Sequence, residues 1–180
     1  MGFLLEHCTH GDGCKLIIKH GGYECMLQIH ERYRTRHPAI QLLVAKTIRR
    51  LLECNFTRDF IVRDTRVLKC TFFIGYSHMK SEEHVENSFY CVLQTARSAV
   101  CRYEILDSGL VPYLTILLKK YSRNTNIVRC MLRLFNWVGN TPETIEALVG
   151  LDTVETTIRC VQRHHRDGQV LSPAMLYLTR

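Results

Sequence analysis

With 180 residues, of which 46% are hydrophobic, the chain is long and apolar enough to bury the core of one ordinary domain. Its apolar runs are far shorter than the roughly 20 residues that a membrane-spanning helix requires, and no basic stretch precedes the apolar Met1–Leu5 as a secretion signal requires. We therefore expect an intracellular, cytoplasmic chain without a membrane partner, whose formal net charge of +7 favours association with acidic molecules.

The nine cysteines are numerous for this length, which raises the question of a disulfide framework or metal sites. Their spacing argues against both, because the sequence contains no Cys-x-x-Cys pair and most cysteines stand alone within apolar stretches. We interpret most of them as small core residues in a reducing compartment.

Residues 1–21 match the end of a helix followed by a closing helical turn, so we predict a partial structural unit here. His7, Cys8, His10 and Cys14 lie in this segment, and imidazole and thiolate groups are ligands that zinc prefers. Their spacing is irregular, and the pattern distributes them over two helices and the turn between them. We therefore predict no metal site and no cofactor.

The next segment, residues 22–64, begins with an apolar helix directly after a glycine pair. A basic break containing Arg32, Arg34 and Arg36 follows, and positive charge is favourable at the end of a helix for local electrostatic reasons. Pro38 then occupies a position typical of the first turn of a helix, which predicts a second, longer helix.

Two further blocks, 65–108 and 109–149, repeat this order of a helix, a polar break, a long apolar helix and a closing turn. The blocks start at Gly22, Thr65 and Gly109, which are 43 and 44 residues apart. This period fits the roughly 40–47 residues of armadillo and HEAT units. The sequence therefore predicts an almost wholly helical chain built from repeated blocks.

Cap residues and apolar spacing predict the long helices of these blocks. Ser81 precedes two acidic residues, which is typical of a helix start. From Ile127 to Val138 apolar residues recur every three or four positions, as on one face of a helix. Thr141 before Pro142 then predicts the capped start of a closing helix.

The last segment, residues 150–180, starts 41 residues after the third block and is predicted to be another partial unit. Ser172 before Pro173 predicts that a new helix begins there. A left-handed glycine that ends a helix is predicted at three positions: Gly21, Gly109 and Gly150.

The stretch GLVPYLTILLKKYSRNTNIVRCMLRLFNWVGNTPETIEALVG at residues 109–150 resembles an armadillo repeat in its glycine, its proline-containing first helix, its apolar last helix and its closing Thr-Pro-Glu turn. The ending YEILDSG of the second block is also similar to this family. The resemblance implies an all-α, right-handed α-solenoid of about four armadillo-like repeats. HEAT repeats of similar period remain an alternative. Complete repeats are then expected at 22–64, 65–108 and 109–149, and truncated repeats at 1–21 and 150–180 imply a fragment of a longer solenoid.

In armadillo proteins the last helix of each repeat lines a concave groove, so the resemblance assigns the outward positions of these helices to partner binding. These positions are Lys46, Arg50, Cys91, Thr95, Leu132 and Asn136. Three arginines flank them: Arg49, Arg129 and Arg133. Of the tryptophan and asparagine ladder that nuclear-import receptors of this family carry, only Asn136 has a match, so we do not predict binding of basic import signals. The groove is predicted to be basic.

Aromatic side chains near these positions are candidate anchors for a partner. The candidates are Phe135, Trp137 and Tyr90, but Trp137 is predicted to lie in the core because it occupies an inward position in the alignment.

The sequence therefore predicts a non-enzymatic scaffold or adaptor that binds a protein partner, such as an acidic or extended segment, within a larger assembly. The alternative is nucleic-acid binding by the basic groove, although the side-chain pairs that would read bases do not repeat from block to block. A nucleophile elbow and a phosphate-binding loop are both missing from the sequence, so we predict no enzyme and no small-molecule substrate. The RHHR run at 163–166 is interpreted as a solvated helix end rather than an anion site.

Overall fold

The computed structural model describes residue 6 and residues 11–34 and 36–180. All regular secondary structure in these ranges is helical, which confirms the predicted all-α class. The helices are α1 (Gly11–Lys19), α2 (Gly22–Arg32), α3 (Pro38–Glu53), α4 (Asn55–Ile61), α5 (Thr65–Ser77), α6 (Glu82–Thr95), α7 (Ala99–Asp107), α8 (Val111–Lys120), α9 (Thr125–Val138), α10 (Pro142–Val149), α11 (Thr153–Arg163) and α12 (Gly168–Leu178). Across the described residues, no helix has both the length and the apolar character needed to cross a membrane.

Each of the predicted blocks 22–64, 65–108 and 109–149 contains three helices in the same order. A helix of intermediate length comes first, the longest helix follows, and a short helix closes the block. By its contacts the chain divides within α7 into two compact units, Met1–Cys101 and Arg102–Arg180.

In the unit Met1–Cys101, helices that hold the same place in consecutive blocks lie side by side. The first helices α2 and α5 pack together, as do the long helices α3 and α6. Helix α1 likewise packs against α4. Large apolar side chains that are fully buried, among them Met26, Ile48 and Phe89, fill the space between these helices.

A polar network joins α2 to the start of α5. Asp64 caps α5 by accepting a hydrogen bond from the backbone N–H of Arg66 at 2.9 Å, and the Tyr23 hydroxyl donates to the same carboxylate at 2.6 Å. The guanidinium of Arg66 pairs with both Asp64 and Glu24. Burial alone would raise the pKa of Asp64, but the hydrogen bonds from Arg66 and Tyr23 hold it below its ordinary value.

A buried histidine joins α2 to α3. His30 is 1% exposed, and its Nδ1 lies 2.6 Å from Oε1 of Gln41. Burial lowers the pKa of His30 below 6.5, although the hydrogen bond to Gln41 opposes this shift.

This histidine should make stability depend on pH. Between pH 6.5 and its lower folded pKa, His30 takes up a proton more readily in the unfolded chain, so lowering the pH favours unfolding. The contribution is complete above pH 6.5 and is lost as the pH falls through the folded pKa. Urea denaturation at pH 7.5 and pH 5 should therefore show a smaller acid-induced loss for His30→Gln than for the wild type. An equal loss in both proteins would contradict this assignment.

In the unit Arg102–Arg180 the same arrangement is present. The first helices α8 and α11 pack together, and the long helices α9 and α12 pack together. Helix α9 starts at the cap residue Asn124, whose side chain accepts from the N–H of Ile127 at 2.9 Å.

Several predicted helix boundaries are confirmed. Pro38 and Pro142 lie in the first turns of α3 and α10, and Thr141 forms a capping box with Thr144. Ser81 precedes α6 at the cap position, but its hydroxyl pairs with Nδ1 of His84 instead of the helix backbone. Left-handed glycines are present at two of the three predicted positions, Gly21 with φ 74° and Gly109 with φ 67°.

Two boundary predictions are wrong. Pro173 does not start a helix, because α12 begins five residues earlier at Gly168, where the Asp167 side chain caps it by accepting a hydrogen bond from the N–H of Gln169. Pro173 is instead buried inside α12. Gly150 has a right-handed backbone with φ −61°, and the left-handed residue is Asp152 with φ 58°.

Candidate functional site

The long helix α3 carries three of the predicted groove cations, and carboxylates neutralise all of them. The ion pairs are Lys46 with Glu83 at 2.6 Å, Arg49 with Glu53 at 3.0 Å and Arg50 with Glu53 at 3.0 Å. A fourth carboxylate contact, from Glu86, lies 3.8 Å from Arg49. The prediction of a basic groove is therefore wrong for α3, since its three cations face three glutamates.

Arg49 is the most constrained of these cations. Its guanidinium donates to Oδ1 of Asn87 at 3.2 Å and lies 4.6 Å from the ring centre of Tyr90, which is half-buried. Burial disfavours the charge on Arg49, but the hydrogen bond and charge of Glu53 outweigh it, so the pKa of Arg49 is raised. Arg49 thus joins α3 to α6 rather than standing free for a partner.

The groove positions predicted on α6 are buried. Thr95 is 0% exposed, and its hydroxyl donates to the carbonyl of Val92 at 2.9 Å. Cys91 is also buried, with its Sγ 3.8 Å from the carbonyl oxygen of Ala45 on α3. The assignment of Thr95 to partner binding is wrong because this face of α6 is part of the protein interior.

Helix α9 differs from α3 because its two cations, Arg129 and Arg133, meet no carboxylate in the part of the chain that the structure describes. Arg129, Arg133 and Trp137 recur every four residues and share one face of α9, which we name the α9 surface. Neither α9 nor the neighbouring α12 contains an aspartate or a glutamate. The α9 surface is therefore basic.

The two arginines of the α9 surface keep their charge available. Arg133 is exposed and makes no hydrogen bond or ion pair with any residue that the structure describes. Arg129 is half-buried and donates to the side-chain oxygens of Gln169 and Asn126, both of which are uncharged. Among the described residues, neither arginine is paired with an anion, so both can pair with a negatively charged ligand.

The aromatic residues of α9 lie opposite to the prediction. Trp137 is 44% exposed, and the guanidinium of Arg102 lies 5.8 Å from its ring centre. Phe135 is fully buried and packs against Tyr177 with a ring-centre distance of 5.7 Å. Trp137 lies four residues after the exposed Arg133, so the two side chains share one face of α9 and the spacing indicates that Trp137 is exposed. The alignment of the blocks placed it inward instead.

The prediction that Asn136 is a groove residue is also wrong. Only 9% of it is exposed, and its Nδ2 donates to the carbonyls of Leu132 at 3.0 Å and Pro173 at 2.7 Å. Leu132 is itself fully buried. Asn136 therefore holds α12 against α9, and it supports the α9 surface without forming part of it.

Three of the four candidate metal ligands, His7, Cys8 and His10, lie outside the described residues. Cys14 is described and is buried in the core beside Ile17. Within the ranges 11–34 and 36–180, no three His, Cys, Asp or Glu side chains come together as metal ligands would.

Comparison with known proteins gives a structural match only. No protein-family model matches the sequence, and no curated protein matches it significantly. The fold is similar to that of an engineered protein solved by crystallography in a structural genomics programme, with a TM-score of 0.72 and 18% sequence identity. That match covers 98% of this chain and 69% of the engineered protein, and at this identity it supports the helical fold alone.

Proposed function

We propose that the chain is an armadillo-type solenoid that binds an extended, acidic segment of a partner protein on its α9 surface and catalyses no reaction. The side-by-side packing of corresponding helices within each unit supports the solenoid, because stacked repeats bury their apolar faces against their neighbours. A cytoplasmic scaffold or adaptor within a larger assembly fits this architecture.

The observation that carries the proposal is the combination of side chains on the α9 surface. Two arginines without an acidic partner lie on the same helix face as the exposed Trp137. Guanidinium groups bind carboxylates through paired, charge-assisted hydrogen bonds. An exposed tryptophan provides a large planar contact of the kind that dominates binding energy at interfaces. Together they favour a ligand that presents carboxylates next to an apolar side chain.

Intrinsic fluorescence can test this proposal, because Trp137 is the single tryptophan of the chain. We expect a twelve-residue peptide rich in glutamate with one central leucine to change the emission of Trp137. A peptide with lysine in place of each glutamate should leave it unchanged. The affinity for the acidic peptide should fall as salt is added, since screening weakens exposed charge pairs.

Arg133→Glu should weaken binding of the acidic peptide by about tenfold or more, which corresponds to ~1.4 kcal/mol. Arg133 is exposed and makes no hydrogen bond or ion pair with the residues that the structure describes, so the substitution should not alter the fold. Arg63→Glu is the matched control, because it makes the same charge change at an exposed residue of the other unit. Equal affinities for Arg133→Glu and the control would refute the assignment of the α9 surface.

A further inference from the structure

Four segments that connect a first helix to a long helix share a chemical pattern, and we name them the connecting loops: 33–37, 78–81, 121–124 and 164–167. Each starts with an aromatic residue directly after the preceding helix: Tyr33, His78, Tyr121 and His164. Each also contains or follows basic residues: Arg32, Arg34, Arg36, Lys80, Lys119, Lys120, Arg123, Arg163 and Arg166. Favourable electrostatics at the end of a helix explains individual basic residues at these positions. It does not explain why an aromatic residue starts each loop.

In the unit Arg102–Arg180, direct hydrogen bonds hold two connecting loops together. Nε2 of His164 donates to the carbonyl of Ser122 at 2.8 Å, and Arg163 donates to the hydroxyl of the same serine at 2.5 Å. The cations of both loops therefore lie at the same end of this unit, which we name the basic edge.

Most of the positive charge on the basic edge is uncompensated. Arg123 and Arg166 are exposed and make no ion pair or hydrogen bond within the described part of the chain. The partner of Arg163, Ser122, is uncharged. Lys119 is paired, since its Nζ lies 3.5 Å from Asp152, and Asp167, which caps α12, is the acidic residue of the loop 164–167.

The unit Met1–Cys101 shows a corresponding arrangement. Nε2 of His84 donates to the carbonyl of Pro38 at 3.0 Å, and the ring of His84 lies 4.6 Å from that of His78. These contacts link His78 of the loop 78–81, through His84 of α6, to Pro38 at the start of α3. In each unit, one first helix ends in a basic residue whose charged group lies over the ring of the aromatic residue that follows it. These pairs are Arg32 over Tyr33 and Lys120 over Tyr121.

We propose that the basic edge binds the phosphate backbone of a single-stranded nucleic acid. Proteins that bind single strands without sequence preference combine a basic track for phosphates with aromatic side chains on which bases stack. Arg123, Arg163 and Arg166 supply the charge, and the half-buried Tyr121, two residues before Arg123, supplies an aromatic side chain. This site lies on the loops and not on the α9 surface, so it is independent of the proposed peptide binding.

The composition of the connecting loops disfavours an anionic membrane as the ligand. Binding to a membrane surface usually inserts exposed apolar side chains beneath the headgroups. The large hydrophobic residues that are exposed in the structure all lie outside the four connecting loops. A single-stranded nucleic acid requires no such insertion.

The test is fluorescence anisotropy of the full chain with a labelled 20-nucleotide oligouridine at several salt concentrations. We expect submicromolar binding at 50 mM salt, with a log–log salt slope of about −3 if roughly four phosphates are contacted. Arg123→Glu combined with Arg166→Glu should weaken binding at least about tenfold and make the slope shallower by about 1.4. Both residues are exposed and make no hydrogen bond or ion pair with the described residues, so the double variant should fold normally.

The control combines Arg63→Glu with Lys69→Glu, which makes the same charge change at exposed residues outside the connecting loops. The control should bind oligouridine within about threefold of the wild type. Arg133→Glu should also leave oligouridine binding intact, so failure of this site and failure of the α9 surface are distinguishable. Equal loss in the double variant and the control would overturn the proposal, as would sedimentation with phosphatidylserine vesicles in the absence of oligouridine binding.

Discussion

Phe135→Ala is expected to lower the free energy of unfolding by about 3–5 kcal/mol, as is typical when a buried aromatic side chain is truncated. Phe135 is 0% exposed and contacts the ring of Tyr177 on α12, so its removal leaves a cavity between α9 and α12. Urea or thermal denaturation, monitored by circular dichroism, measures the effect.

Trp137→Ala is the matched comparison, because Trp137 lies two residues further along the same helix and is 44% exposed. This substitution should lower the free energy of unfolding by less than about 1.5 kcal/mol, since surface substitutions remove little buried area. If Trp137→Ala proved as costly as Phe135→Ala, the orientation of α9 would be wrong. The α9 surface would then lose its aromatic residue, so this pair of variants also tests the basis of the proposed function.

Gly75→Val is expected to destabilise the unit Met1–Cys101 by about 1–3 kcal/mol through overpacking between α5 and α6. A Cβ atom at Gly75 would lie 2.7 Å from Cε2 of Phe89 and 3.0 Å from Cβ of Ser88. Phe89 is 1% exposed, so its ring has no space into which it can move. Thermal denaturation should show a lower midpoint than that of the wild type.

Gly168→Ala provides the control for this prediction. Gly168 lies in the first turn of α12, and a Cβ atom there would meet nothing within 4 Å. Replacing glycine by alanine in a helix usually stabilises it by up to about 1 kcal/mol. An unchanged or raised midpoint for Gly75→Val would show that α5 and α6 are further apart than described.

Sequence reasoning succeeds for the apolar periodicity of α9 and for the starts of α3 and α10. The periodic apolar residues from Ile127 to Val138 predicted α9, and the structure has a helix at Thr125–Val138. The prolines at 38 and 142 marked helix starts because proline suits a first helical turn, where its missing N–H is not needed. Signals of this kind act within a few residues of the chain, so the sequence displays them directly.

The same reasoning fails where the outcome depends on a neighbouring helix. Pro173 looked like a helix start, but Asp167 provides a cap earlier and packing retains the proline inside α12. Asn136 looked like a surface residue, but the carbonyl of Pro173 on α12 accepts a hydrogen bond from its side chain. No sequence pattern within α9 predicts that hydrogen bond.

Charge balance was decided only in part by the tertiary structure, since Glu53 pairs with Arg49 and Arg50 within α3. The net charge of +7 indicated a basic chain, yet Lys46, Arg49 and Arg50 meet glutamates, while Arg129 and Arg133 do not. Two of the glutamates that neutralise α3, Glu83 and Glu86, come from α6, which lies beside α3 only after folding.

The sequence by itself determined the helical character of the chain, the order of its helices and most of their starts, because periodicity and caps act over short distances. Only the tertiary structure decided that Lys46 meets a glutamate of α6 and which side of α9 faces solvent. Both depend on contacts between residues about 40 positions apart in the chain, such as those of α3 with α6 and of α9 with α12. Such contacts follow from packing, and no local pattern encodes them.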